Sequence, residues 1–172
     1  MRIQLVCLTV LTFWLSGLDG RKVVKEVKFK KSPENATVEE DQRHLFHCNT
    51  ERIKGCTRNQ MKIKWFHNGI KLTKRGTNFK IKKHGTTLLF DNIKVENRGE
   101  YYCSVSCKSK KFIARGASPK AYLQVEVPVR FVEKPIDRHV TPGNLQITCS
   151  AFGIPAPKLT WLDINDTEIT IQ

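Results

Sequence analysis

At 172 residues the chain is long enough for one ordinary domain, or for one domain and part of another. Lys and Arg number 30 against 16 Asp and Glu, a net charge of +14. The excess is confined to one stretch, since 25 basic and 10 acidic residues between Arg21 and Val127 give +15, whereas 4 and 5 from Pro128 to Gln172 give −1. Beyond the opening residues no segment is apolar for long enough to cross a membrane, which excludes a spanning helix from the visible chain.

The chain opens MRIQLVCLTVLTFWLSGLDG. Arg2 supplies a positive start, an apolar run from Ile3 to Leu15 follows, and Ser16, Gly17 and Gly20 offer cleavage points. These are the parts of a secretory signal peptide, expected over residues 1–20. A signal anchor would need about 20 apolar residues, and this run stops short. The mature chain is therefore expected outside the cytoplasm, in an oxidising space, where Cys48, Cys56, Cys103, Cys107 and Cys149 are disulfide candidates before they are metal ligands.

Downstream, short alternating apolar segments broken by Gly, Asn and Pro predict an all-β chain without a convincing helical stretch. Expected strands are Val23 to Phe29, His44 to Cys48, Lys62 to Phe66, Phe79 to Lys82, Thr86 to Phe90, Glu100 to Ser106 and Ala121 to Val127. AYLQVEV alternates cleanly, one face for a core and one for water. Seven turn-separated strands in this span suggest a two-sheet sandwich.

Cys48, then Trp65, then Cys103 with Tyr101 two residues before it, resembles an immunoglobulin domain, and LLFDNIKVENRGEYYC matches that family's stretch from its fifth to its sixth strand. The resemblance implies a Cys48–Cys103 bridge between two sheets, Trp65 packed upon it, and a Tyr101 hydroxyl bonded back to the chain at a strand corner. Gly99 would supply the turn ahead of Tyr101. One departure is Asn97, where the family usually has Asp paired with a base; Asn78 stands at the partner position, so an amide bond or no contact is expected rather than an ion pair.

From Pro128 a second copy begins. GNLQITCSAFGIPAPKLTW resembles the intermediate-set version of the family, with Cys149 and Trp161 as its cysteine and tryptophan. The expected organisation is thus a complete immunoglobulin-like domain over 21–127 and the amino-terminal half of a second over 128–172. A fragment of a longer multi-domain protein is the simplest account of that pattern, with a genuinely short splice form as the alternative.

Between Cys48 and Trp65 lie 16 residues, against 11 between Cys149 and Trp161, and the longer connection carries Cys56. In the immunoglobulin arrangement this connection and the one after Cys107, CKSKKFIARGASPK, emerge at the same end. A Cys56–Cys107 staple between the two loop bases is therefore expected, with a free or intermolecular Cys56 or Cys107 as the alternative. The staple would restrict loops that otherwise sample many states, favouring recognition at that end, although added stability explains it equally.

Three basic clusters stand out, RKVVKEVKFKK at 21–31, KLTKRGTNFKIKK at 71–83 and KSKK at 108–111. Candidate polyanion-binding residues are Lys71, Lys74, Arg75, Lys80, Lys82, Lys83, Lys108, Lys110 and Lys111. The local charge exceeds the magnitude of about 2–8 that solubility asks of a small domain, and such a field concentrates polyanions. Sulfated glycosaminoglycan is the leading ligand, with an acidic protein partner and an incidental excess as alternatives. Nucleic acid is excluded, because the chain is secreted and no aromatics are interleaved to stack bases. Sequons occur at Asn35 and Asn165. The five histidines lack a companion nucleophile or paired carboxylates, and no phosphate cradle or zinc helix appears, so no catalytic residue, metal or cofactor is assigned. The sequence reads as an extracellular immunoglobulin-superfamily binding module for adhesion, receptor or matrix recognition, and not as an enzyme. A heparan-sulfate-retained ligand or soluble regulator, or the ectodomain of a receptor tyrosine kinase, are the competing readings.

Overall fold

The computed structural model describes residues 22–73, 78–136 and 147–169. The expected signal segment, Lys74 and Arg75 therefore lie outside the described residues. The strands are β1 (Val23–Glu26), β2 (Phe29–Lys31), β3 (Ala36–Glu39), β4 (His44–His47), β5 (Asn49–Thr50), β6 (Met61–His67), β7 (Ile70–Lys71), β8 (Lys80–Lys82), β9 (Thr87–Phe90), β10 (Gly99–Lys108), β11 (Phe112–Ala117), β12 (Ala121–Glu133) and β13 (Ser150–Ile154).

Two layers face each other. In one, β10 lies between β6 and the pair β11 and β12, all antiparallel to it, while β7 extends β6. β1 and β3 add in parallel along β11 and β12. The other layer is β4–β9–β8, with β2–β5 beside it. β10 shows why the layers close: Gly99, Tyr101, Cys103, Val105 and Cys107 are buried, and the alternate residues between them are not.

The core gathers Phe46, Trp65, Leu88, Phe90, Tyr101, Leu123 and Val125 around the Cys48–Cys103 disulfide. Trp65 is 0% exposed, and its indole Nε1 donates to the Gly85 carbonyl at 2.7 Å, so its one polar atom is satisfied. The Tyr101 hydroxyl donates to the Asn97 carbonyl at 2.7 Å, and burial raises its pKa above the ordinary phenol value. Gly99 has φ +142°, and a Cβ there would stand 2.7 Å from His67 Nε2, so both the turn and the close approach require glycine. His67 needs that space because its ring stacks on Tyr101 at 4.4 Å.

Several expectations are corrected. The strand expected over Val23 to Phe29 is split, because β1 pairs with β11 in one layer and β2 with β5 in the other. Val27, at the crossing, is buried. CKSKKFIARGASPK is not an open connection. Phe112 and Ala114 point inward and Arg115 outward, giving a β10–β11 hairpin whose turn is tied by Ser109 Oγ accepting from the backbone N–H of Lys111 and of Phe112. β3 is a further addition. At the departed corner, Asn97 Oδ1 accepts from Lys94 N–H at 2.8 Å and Asn78 Nδ2 donates to Glu96 at 3.4 Å.

β12 runs for 13 residues and passes through Pro128, where the sequence pattern leads one to expect a module boundary. Proline has no N–H to give the ladder, and the β12–β13 register slips between Val127 and Arg130. Beyond it Val129, Phe131, Val132, Phe152, Leu162 and Ile164 are exposed, Trp161 is half-buried and Cys149 is a free cysteine.

Candidate recognition surface

The connection from β5 to β6 turns at Ile53–Cys56, where Cys56 N–H donates to the Ile53 carbonyl at 3.0 Å. It then enters a short 3₁₀ turn, Arg58–Gln60, begun by Thr57, whose N–H donates to Gln60 Oε1 at 3.0 Å. Cys56 is bonded to Cys107, and the two Cα atoms stand 6.3 Å apart. Cys107 is 0% exposed, so the staple roots this loop in the core at the point where β10 ends. Phe112 packs under the same loop, and Lys25 Nζ lies 4.4 Å above its ring.

This crosslink brings two sets of cations to one tip. Lys108, Lys110 and Lys111 of the hairpin turn join Arg52, Lys54 and Arg58 of the stapled loop, and all six are exposed. None of them has an ion pair among the described residues. The cations fixed elsewhere behave differently. Lys94 binds Asp41 at 2.6 Å, Lys120 binds Glu100 at 2.8 Å, and Lys80 is paired with Asp91. The Lys80 hydrogen bond holds the Asp91 carboxyl below its ordinary range, and Lys94 does the same to Asp41.

The predicted polyanion residues are thus not one patch. Lys80 and Lys82 lie on β8 in the second layer, followed by Lys83, whereas Lys71 lies on β7 at the far edge of the first. Lys108, Lys110 and Lys111 occupy the tip. Arg52, Lys54 and Arg58 were not among the candidates; their signal was proximity to Cys56 in a loop already expected to meet Cys107.

Asn35 is exposed just before β3, and its Oδ1 accepts from Tyr122 N–H at 2.7 Å. That bond uses the amide oxygen and not Nδ2, the atom to which a glycan would attach. Asn165 is exposed in a turn where Asp163 Oδ1 accepts from its N–H at 2.8 Å. Among the described residues no helix is long and apolar enough to cross a membrane.

Residues 27–115, just over half of the chain, match the Immunoglobulin I-set domain. Drosophila melanogaster Neuroglian is 28% identical over 136 residues, covering 78% of this chain and 10% of its own length. Cell adhesion molecule Dscam1 from the same organism is 26% identical over 107 residues, covering 59% and 5%. Among solved structures, the amphioxus IgVJ-C2 molecule superposes with a TM-score of 0.61 at 23% identity, covering 77% of this chain and 79% of that one. The chain thus spans a small part of the curated relatives it matches.

Proposed function

Because the chain belongs to the immunoglobulin I-set domain family, we propose that it is an extracellular recognition module that meets its partner with the stapled tip and is assisted by sulfated glycosaminoglycan. The observation that carries this reading is the set of six exposed cations, without an ion pair among the described residues, that the Cys56–Cys107 bridge holds together. A pre-ordered loop loses less conformational freedom on binding, and an unneutralised positive field raises the local concentration of anionic ligands. Adhesion is the role favoured by the resemblance to Dscam1, whose name describes a cell adhesion molecule.

Export through the signal segment places the module outside the cell, with a glycan on Asn35 Nδ2. Residues 128–172 begin a second module of the same kind, a reading supported by the Cys149 and Trp161 spacing and by the β12–β13 ladder. Heparin-affinity chromatography tests the polyanion reading. Retention beyond physiological ionic strength, about 0.15 M, is expected, and elution at or below it removes glycosaminoglycan from the proposal. Enzymatic deglycosylation of the exported chain is expected to lower its mass, and Asn35→Gln to abolish the larger part of that change.

A further inference from the structure

The outer face of the β6–β10–β11 sheet carries a second group of cations that the tip does not include. The register places Lys62 opposite Ser106 and Ser106 opposite Arg115, and one row further Lys64 opposite Ser104 and Ser104 opposite Ala117. Burial alternates along all three strands so that these residues lie on the solvent side, with Ile63, Trp65, Val105, Cys107 and Ala114 beneath. Lys62, Lys64 and Arg115 are exposed and have no ion pair among the described residues. Among the described residues neither the Ser104 nor the Ser106 hydroxyl has a hydrogen-bond partner.

Small hydroxyl side chains on the central strand, flanked by long cationic ones on its neighbours, form a shallow trough along β10. Adjacent strands stand about 4.8 Å apart and same-face residues about 6.8 Å apart along a strand, so Ser106 lies between Lys62 and Arg115, and Ser104 lies beside Lys64.

We infer that this trough is an oxyanion-binding stripe for a linear sulfated polysaccharide; the inference deepens the glycosaminoglycan reading above and rests on it. Cations and hydroxyl donors together match the charge and the hydrogen-bond acceptors of a sulfate group. An acidic protein surface fits less well, because protein interfaces rest on a desolvated apolar centre, and the centre of this face holds only hydroxyls and Ala117. The Phe66–Tyr102 stack lies one row beyond the trough, at its end away from the tip. One carboxylate borders the stripe, Glu26, in register with Arg115 on β1.

The experiment compares heparin-fragment binding by the exported chain and four variants. Lys62→Gln/Lys64→Gln/Arg115→Gln is set against Lys28→Gln/Lys30→Gln/Arg43→Gln, which removes the same charge from exposed positions away from the face. The face variant is expected to bind about tenfold more weakly than the control, the loss that follows when a few solvent-exposed ion pairs go. Ser104→Val/Ser106→Val, which fills the trough without altering charge, is expected to weaken binding too, and Glu26→Gln to strengthen it. Equal losses in the face and control variants overturn the stripe while leaving the glycosaminoglycan reading intact. A parent chain that heparin does not retain overturns both. Polyglutamate competing as well as the heparin fragment at equal charge overturns the choice of a sulfated ligand. Circular dichroism confirms that each variant is folded before its binding is scored.

Discussion

Two cysteine–tryptophan pairs in this chain read alike and live differently. Cys48 and Trp65 are both 0% exposed, one in a disulfide to Cys103 and the other hydrogen-bonded to Gly85. Cys149 is free, and Trp161 is half-buried among exposed Leu159, Leu162 and Ile164. The difference lies in what faces them. Trp65 is enclosed by β10 on its own sheet and by Phe46 and Leu88 of the facing layer, whereas among the described residues the hydrogen bonds of the Trp161 segment, the Leu162–Glu168 bridge included, all close across its own turn. A motif marks a position in a fold; its energy comes from the second layer that closes over it.

Substituting the two tryptophans sharpens that contrast most. Trp65→Ala is expected to cost about 3–5 kcal/mol, as deletion of a fully buried aromatic does, and Trp161→Ala about 1 kcal/mol or less. Urea unfolding followed by circular dichroism separates them, and similar costs would erase the comparison.

The two bridges of the first module come next. Cys48–Cys103 closes a loop of sequence separation 55, worth about 4 kcal/mol on chain entropy. Within that closed loop Cys56–Cys107 adds only the small ring formed by 48–56 and 103–107, worth about 3 kcal/mol. Cys56→Ser/Cys107→Ser is therefore expected to remain folded and exported, with a lower thermal midpoint and weakened heparin retention.

Tyr101→Phe keeps the ring and leaves the Asn97 carbonyl without its 2.7 Å donor. A loss of about 1–2 kcal/mol is expected, read from the same urea curves.

The smallest effect is a pH dependence from His44 and His47 on β4. Burial lowers both pKa values; the neighbouring His47 lowers His44 further, and Lys31 and Lys83 lower His47. The unfolded chain takes up these protons near the ordinary value of 6.5, and the folded chain only at lower pH. Stability is accordingly complete above that value and declines as pH falls from it through the folded values. Thermal midpoints between neutral and mildly acidic pH are expected to fall for the parent chain and to fall less for His44→Gln.

Much of the module was legible because its strongest constraints are local in type even when distant in sequence. Cysteine, tryptophan and the tyrosine before the second cysteine are chosen by the bridge, the indole and the corner, and each sits where it was expected. The β11 strand was missed because KSKK hides the start of the alternation that Phe112 and Ala114 carry inward. The polyanion candidates were selected by adjacency in sequence, and the fold scatters them: Lys80 is spent on Asp91, and Lys71 and Lys82 fall in different layers. The cations of the sheet face come from β6 and β11, and only strand register makes neighbours of Lys62 and Arg115. Register depends on the whole hydrophobic pattern and on the turns, so it cannot be taken from any short window.

β12 runs antiparallel to β10 and leaves the sandwich past Gly99, at the pole opposite Lys108. At about 3.3 Å per residue its 13 residues reach about 43 Å without a coil interruption. The chain therefore leaves the pole away from the basic tip as strand, and its pairing passes from β10 and β3 to β13 across the slip between Val127 and Arg130.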